Sequence, residues 1–222
     1  ENNQKKAYEI NCEAIDNLSK IAAKKDIWLI HFSTDYVFDG AKNTLYTESD
    51  IANPINIYGK SKFAGELKII NSGCKYIIFR TTWVCGEFGK NFIKTIISLS
   101  KKKNSISVVN DQVGVPTSTS LISKVTINLV KDIKNKYFWK SGIYNLVPNG
   151  KTNWFSISKL ISDIAINEFK DNNFKNLYIK KITTSEYKKT VSRPLNSLLC
   201  NEKLQKQLKF TLPDWEIDFI PL

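Results

Sequence analysis

The stretch that decides the fold is residues 27–40, which read IWLIHFSTDYVFDG. Its first seven residues form a short, nearly continuous apolar run, which is typical of a strand buried on both faces of a parallel sheet. The run ends in hydroxyl and carboxyl side chains, STD at 33–35. Because doubly wound sheets bind their ligands at the carboxyl ends of strands, this stretch predicts both a central strand and one edge of a site.

Helical and apolar patterns alternate on both sides of that strand. The spacing predicts helices over 7–23, 57–70, 91–103 and 118–134, and further strands over 75–84, 105–111 and 142–147. Such alternation implies right-handed crossovers. The predicted fold class is therefore α/β, a doubly wound parallel sheet.

The pattern changes after about residue 150. A single amphipathic helix, WFSISKLISDIAINEF, is followed by short mixed segments up to LPDWEIDFI. We expect residues 1–150 to form the sheet domain, with some segments after about 85 contributing to a second unit. Residues 151–222 then form most of a smaller α+β lobe, packed over the carboxyl ends of the strands.

The composition and charge of the chain exclude several classes of function. The chain has 222 residues, 42% of them hydrophobic, and a formal net charge of +12. The lysines form no sustained patch and do not alternate with aromatic residues, so nucleic acid is not an expected partner. The chain has no run of about 18 apolar residues, so the sequence predicts no membrane span. The polar opening, ENNQKKAYEI, resembles no secretory signal. A cytoplasmic protein without a membrane partner is expected.

The cysteines and the single histidine predict no metal site. The four cysteines, at 12, 74, 85 and 200, form no C-x-x-C pair and lack a neighbouring histidine. We expect reduced, packed thiols. His31 lies inside the apolar run 27–33, and we interpret it as a hydrogen-bonded strand residue rather than a catalytic one.

A tyrosine and a lysine four residues apart follow the predicted strand. The stretch 57–66 reads IYGKSKFAGE, so Tyr58 and Lys62 share one face of a helix. A hydroxyl at the strand end, a phenol on the next helix and a lysine one turn later form a carbonyl-reducing arrangement. Free tyrosine titrates near pH 10, so a phenol acting near neutral pH needs a nearby cation.

Several further motifs occur in a consistent order. They are STDYVFDG at 33–40, YTESD at 46–50, P-x-N-x-YGKSKFAGE at 54–66, FRTTWV at 79–84, NF at 91–92, VNDQVGVPT at 109–117 and SRPLNSLL at 192–199. With these motifs the chain resembles the extended short-chain dehydrogenase/reductases, and within them the dTDP-4-dehydrorhamnose reductase family. The resemblance runs over essentially the whole chain.

The resemblance implies a role for each matching residue. Thr34 would polarise the substrate carbonyl and Tyr58 would be the general acid. Lys62 would bind the nicotinamide ribose and lower the pKa of Tyr58, so Tyr58 and Lys62 both belong to the cofactor site. The remaining substrate contacts would be Asp35, Trp83 and Arg193, with Arg193 near the nucleotide diphosphate. Asn110, Asp111 and Gln112 resemble a motif that shapes the pocket.

The implied reaction is hydride transfer from NADPH or NADH to C4 of dTDP-4-dehydro-β-L-rhamnose. The product, dTDP-L-rhamnose, supplies cell-wall polysaccharide and lipopolysaccharide synthesis. The expected partner is this nucleotide-sugar. Reductases of this type include some that use Mg²⁺ and some that form homodimers, and the sequence decides neither point.

Alternatives remain open at several positions. Ser33 rather than Thr34 is a second candidate for the hydroxyl, and Asp35 is also placed to cap a turn. Trp83 also fits a core position, and Arg193 also fits a loop anchor. A 4,6-dehydratase carries Asp-Glu after the threonine, whereas Asp35 here precedes Tyr36. A non-catalytic relative, like the regulatory β subunit of methionine adenosyltransferase, remains an alternative, as does an epimerase.

One expected cofactor feature is absent from these residues. None of the glycines forms G-x-G-x-x-G or G-x-x-G-x-x-G, the turn that holds a dinucleotide pyrophosphate. The chain also contains no methionine. We therefore expect an inactive fragment that begins midway through the sheet and that, on its own, binds NADPH poorly or not at all.

Overall fold

The computed structural model describes residues 3–137, 139–168, 177–187 and 191–219. The helices are α1 (Gln4–Tyr8), α2 (Ala14–Lys24), α3 (Ile57–Ile70), α4 (Phe92–Lys102), α5 (Thr119–Lys134), α6 (Trp154–Glu168), α7 (Glu202–Gln207) and α8 (Trp215–Phe219). The strands are β1 (Trp28–Thr34), β2 (Lys75–Thr81), β3 (Val84–Cys85), β4 (Ser105–Val109), β5 (Val113–Gly114), β6 (Thr117–Ser118), β7 (Gly142–Asn145), β8 (Thr152–Asn153) and β9 (Tyr178–Ile182).

The central sheet has three parallel strands in the order β1-β2-β7. Trp28 lies opposite Lys75 at one end of β1, and Thr34 lies opposite Thr81 at the other. Helices cover both faces of this sheet. The predicted α/β class with a parallel sheet is therefore confirmed.

The middle strand shows why the sheet is covered on both faces. Ile77 and Phe79 of β2 are fully buried in a cluster with Val125 of α5. Ile78, between them in sequence, is fully buried in a second cluster with Ile69 of α3. Successive side chains of a strand point to opposite faces. A middle strand with helices on both faces therefore needs apolar side chains at successive positions.

Strand β1 is less buried than its sequence predicts. It lies at one side of the three described strands, and Phe32 is 41% exposed. The apolar run correctly predicts a strand here. The prediction of burial on both faces is wrong for Phe32, because within the described sheet β1 has a neighbour on one side only.

Helix α3 has the predicted bounds, 57–70, and both its ends are explained by local sequence. The side chain of Asn56 accepts a hydrogen bond from the Gly59 amide at 2.8 Å, which caps the first turn. Gly73, with a φ of 76°, takes the left-handed conformation just beyond the helix. The face of α3 that carries Gly65 packs directly against the carbonyl of Asn11.

The first predicted helix, 7–23, is observed as three consecutive pieces. Between α1 and α2 lies a π-helical turn, Glu9–Glu13. A π-turn adds one residue to the helical repeat. Asn11, within this turn, donates a side-chain hydrogen bond to the hydroxyl of Ser61 on α3 at 3.1 Å.

The predicted strand 105–111 does not join the central sheet. It is observed as β4, which pairs in parallel with β9. The apolar pattern identifies a strand but not its partner, and this partner lies about 70 residues later in the chain. The division of the chain near residue 150 stays a prediction.

The segment 191–201 is bound to the loop that follows β1. Tyr46 donates its amide to Leu198 and accepts from the Cys200 amide, each at 2.8 Å. The side chain of Asn196 donates to two carbonyl oxygens in the same loop. Residues far apart in sequence are thereby held at one edge of the sheet.

Among the described residues, no helix is both long and apolar enough to cross a membrane.

Candidate active site

The structure brings Thr34 and Tyr58 into contact at the carboxyl end of β1. Thr34 is the last residue of that strand, and its hydroxyl accepts a hydrogen bond from the Tyr36 amide at 3.2 Å. The same hydroxyl lies close enough to the Tyr58 phenol to lower the pKa of that phenol. Ser33 Oγ is buried without a hydrogen-bond partner in the described part of the chain. Of the two candidate hydroxyls, Thr34 therefore makes the contact with Tyr58.

Lys62 lies one turn beyond Tyr58 and contacts the strand. Its Nζ donates to the Phe32 carbonyl at 2.6 Å and lies 3.1 Å from His31 Nε2. An ammonium can only donate, so Nε2 of His31 must be the unprotonated nitrogen. Burial, with the Lys62 charge as a smaller cause, lowers the pKa of His31 to about 3, which keeps the ring neutral.

The pKa of Tyr58 is raised rather than lowered in this arrangement. Burial is the main cause, the neighbouring Thr34 hydroxyl opposes it, and the Asp35 charge adds to it. Lys62 is not among the groups that shift the pKa, because its ammonium is turned toward the strand. The side chain of Tyr58 is nevertheless 48% exposed, so its phenol is accessible to a ligand.

Asp35 lies beneath the site rather than on its surface. It begins the short 3₁₀ turn Asp35–Val37 and is 3% exposed. The Thr34 hydroxyl donates to its Oδ1 at 3.1 Å. Burial raises the pKa of Asp35 to about 7, against the opposing effect of the Ser197 and Thr34 hydroxyls. The sequence-based role of Asp35 as a substrate contact stays a prediction.

Arg193 lines a cavity of about 400 Å³ next to this cluster. Aromatic side chains from three parts of the chain, Phe92, Trp154 and Tyr187, line the same cavity. Arg193 also lies near enough to Tyr36 to oppose the burial that raises the pKa of that phenol. The cavity therefore combines a guanidinium with aromatic surfaces, and Arg193 links it to the turn that carries Tyr36.

Trp83 is held rigidly behind the cavity. Its ring stacks on Trp154 with centroids 3.8 Å apart, and its backbone has a φ of 45°. Gly114 lies so close that a Cβ there would stand 2.6 Å from the indole. The ring is thus half-buried in an aromatic stack, an arrangement that suits a cavity wall.

The motif at 110–112 holds a neighbouring turn. The carboxylate of Asp111 accepts hydrogen bonds from the amide and hydroxyl of Thr184, and Gln112 also donates to that hydroxyl. These contacts fix the turn that carries Tyr187 into the cavity wall. The residues shape the pocket indirectly, through Thr184.

The cysteines form no disulfide and no metal cluster within the described residues. All four thiols are free, and burial raises the pKa of Cys85 to about 12. No group of three or more His, Cys, Asp or Glu side chains in the described ranges is placed to hold a metal ion.

Sequence reasoning assigned no functional role to three residues that the structure places at the site. His31 contacts Lys62. The Ser197 hydroxyl opposes the upward shift of the Asp35 pKa. Trp154 packs between the rings of Trp83 and Phe92. The signal for His31 was present, since it is the only histidine and precedes the STDY stretch by two residues. Ser197 lies in the SRPLNSLL motif, but no local pattern links it to Asp35.

The comparisons with known proteins identify the family of the chain. The family model described as the RmlD substrate binding domain matches residues 1–219. The dTDP-4-dehydrorhamnose reductase of Salmonella typhimurium is 36% identical over 219 residues, covering 95% of this chain and 70% of the relative. The chain belongs to the dTDP-4-dehydrorhamnose reductase family. The Escherichia coli reductase is 34% identical with the same coverage.

A solved dTDP-4-dehydrorhamnose reductase has the same fold. The Bacillus anthracis enzyme, crystallised in complex with NADP, gives a TM-score of 0.85 at 32% identity. The match covers 100% of this chain and 75% of that one. The predicted resemblance to the dTDP-4-dehydrorhamnose reductase family is confirmed.

Proposed function

We propose that this protein reduces the C4 carbonyl of dTDP-4-dehydro-β-L-rhamnose with a hydride from NADPH or NADH. The observation that carries the proposal is the placement of the Thr34 hydroxyl, at the end of β1, beside the Tyr58 phenol, with Lys62 one turn further along α3. Two adjacent hydroxyl donors suit a carbonyl oxygen that gains negative charge in the transition state. The shared family name of the relatives supports the same reaction.

Tyr58 is the group that supplies the proton. A bound nicotinamide cofactor supplies the hydride, and the substrate oxygen then needs a proton from a positioned acid. The phenol is half-exposed and carries its proton at neutral pH, because its pKa is raised by burial. Thr34 lies beside the phenol, and its hydroxyl can donate to the same oxygen when the Asp35 carboxylate does not hold its hydrogen.

Lys62 is suited to bind the cofactor. An ammonium has three donors, and the Phe32 carbonyl and His31 Nε2 take two of them. The third is free to bind a ribose hydroxyl of the nicotinamide nucleotide at the strand end. This residue set fits a nicotinamide cofactor, and Mg²⁺ has no part in the proposal.

The 400 Å³ cavity is suited to the nucleotide part of the substrate. Aromatic faces such as Phe92 and Trp154 can stack on a pyrimidine base. The planar guanidinium of Arg193 matches the paired oxygens of a diphosphate. Asp35 and Trp83 complete the proposed substrate site from below and behind. The homodimer and the cytoplasmic location stay predictions.

Turnover by the protein expressed from its complete gene tests the proposal. NADPH oxidation would be followed with dTDP-4-dehydro-β-L-rhamnose as substrate. We expect Tyr58→Phe to lower turnover about 100-fold or more while NADPH affinity stays nearly intact, since general acid catalysis contributes about 10²–10⁴-fold. Lys62→Ala should impair both turnover and cofactor affinity.

Tyr137→Phe is a matched control. It removes a phenol that is 55% exposed and lies on the chain after α5, outside the candidate site. Its turnover should equal that of the unaltered protein. If Tyr58→Phe also turned over at the unaltered rate, Tyr58 would not be the acid. Absence of any NADPH oxidation in the unaltered protein would contradict the proposed reaction itself.

A further inference from the structure

The hydrogen bonds around Thr34 leave its hydroxyl no spare hydrogen. A threonine hydroxyl has one donor hydrogen and two acceptor lone pairs. The hydrogen is donated to Asp35 Oδ1 at 3.1 Å. One lone pair accepts from the Tyr36 amide at 3.2 Å, and the other stays available to a donor such as the neighbouring Tyr58 phenol. While Asp35 is ionised, Thr34 therefore cannot donate to a substrate carbonyl.

Protonation of Asp35 reverses this chain of hydrogen bonds. A neutral carboxyl can donate its own hydrogen to Thr34 Oγ1, which releases the threonine hydrogen. That hydrogen, and the phenol hydrogen of Tyr58, can then both point to the open side of the site. We propose that Asp35 is a positioning residue whose neutral carboxyl turns the Thr34 hydroxyl toward the substrate carbonyl, an inference that rests on the proposed function.

The burial of Asp35 supports this role. Its side chain is 3% exposed, and its Oδ2 has no hydrogen-bond partner among the described residues. An ionised carboxylate at such a position carries a charge that is poorly solvated. Burial accordingly raises its pKa to about 7, so both protonation states are populated near neutral pH.

The other ionisable groups around Asp35 do not titrate in the same range. Tyr36 on the same turn and Tyr58 from α3 both have pKa values raised above 10 by burial. His31 on β1 has its pKa lowered to about 3. Lys62 from α3 and Arg193 from the segment 191–201 are the cations on this side of the molecule, and the Lys62 pKa is lowered by burial.

The expected signature is a pH profile of turnover. In the unaltered protein from the complete gene, kcat with NADPH and dTDP-4-dehydro-β-L-rhamnose should fall as the pH rises through about 7. The fall should approach tenfold per pH unit, because the fraction of neutral Asp35 falls at that rate. Asp35→Asn cannot ionise, and its amide can donate to Thr34 at every pH. The decline should therefore disappear in Asp35→Asn.

A second pair of variants tests the same point without altering Asp35. Thr34→Val has no hydroxyl to reorient, so its lower turnover should show no decline through pH 7. Thr34→Ser keeps a hydroxyl and should keep the decline. This pair carries the test if Asp35→Asn does not fold, and circular dichroism of each variant monitors folding.

The outcomes separate this inference from the proposed function. A flat profile in the unaltered protein, or a decline that persists in Asp35→Asn or in Thr34→Val, would overturn the role of Asp35 and leave the reductase activity standing. Absence of reduction at every pH would overturn both.

Discussion

At the residue scale, a neutral histidine holds the lysine of the proposed cofactor site. His31 Nε2 and the Phe32 carbonyl fix the direction of the Lys62 ammonium before any ligand arrives. A fixed donor loses less conformational entropy on binding than a free lysine side chain does. The contact gives His31 a role in organising the proposed cofactor site, although the ring itself is buried.

We predict that His31→Leu weakens cofactor binding by about tenfold, because a hydrogen bond to a charged group contributes about 1.5–3 kcal/mol. His31→Gln offers an amide oxygen that can accept from Lys62 and should recover most of the affinity. Titration calorimetry of NADPH with the protein from the complete gene measures both variants. Equal affinities for the leucine and glutamine variants would show that the histidine only fills space.

At the element scale, α3 positions Tyr58 by packing its first turn directly on the 3₁₀ turn 35–37. A Cβ added at Gly59 would stand 2.1 Å from the Tyr36 carbonyl oxygen. The Asn56 cap and the buried ion pair between Glu66 and Arg80, at 2.6 Å, fix the remaining length of the helix. The Thr34–Tyr58 contact therefore depends on glycine at position 59.

We predict that Gly59→Ala destabilises the fold by about 1–3 kcal/mol, the usual cost of overpacking. The helix start must move away from the turn, so Thr34 and Tyr58 should move apart and turnover should fall. Urea unfolding and NADPH oxidation measure the two effects.

Gly142→Ala provides the control, because the nearest atom to a Cβ there is the flexible Lys203 Nζ at 3.5 Å. Its stability should stay within about 1 kcal/mol of the unaltered protein, as expected for a glycine in a strand. If both variants were equally stable, the close approach at Gly59 would not constrain the helix.

At the scale of the whole molecule, one buried carboxyl makes folding depend on pH. The pKa of Asp35 is raised by burial to about 7 in the folded state, against about 3.9 for an unperturbed aspartate. The folded state thus binds the proton more tightly than the unfolded state. The stabilisation is fully present below about pH 4 and is lost progressively up to about pH 7.

We predict that Asp35→Asn reduces this pH dependence. As the pH rises from about 4 to about 7, the unfolding free energy of Asp35→Asn should increase relative to that of the unaltered chain. The change is about 1.4 kcal/mol per pH unit at most. Urea unfolding at a series of pH values measures it. Asp163→Asn, at an exposed position on α6, should show no such trend; a constant difference for Asp35→Asn would contradict the raised pKa.

The sequence predicts what is local and misses what depends on distant contacts. Helix α3 was predicted with its observed bounds because its helical spacing is a pattern of neighbouring residues. The pairing of β4 with β9 was not predicted, because the pattern of a short strand does not identify its partner.

The same distinction applies to the candidate site. Tyr58 and Lys62 could be proposed because their spacing of four is a helical repeat. The contact of His31 with Lys62 and the effect of Ser197 on Asp35 join residues 31 and 162 positions apart. Lys62 was expected to lower the pKa of Tyr58. That expectation depended on the direction of the Lys62 side chain, which spacing alone does not determine.

The contact between His31 and Lys62 also provides a natural spectroscopic probe. These 222 residues contain one histidine, so the imidazole signals of the chain in an NMR spectrum need no assignment among competitors. Any molecule that draws the ammonium away from Nε2 alters the electronic surroundings of that ring. Ligand arrival at the lysine can thus be followed in solution without a label, a dye or a catalytic assay.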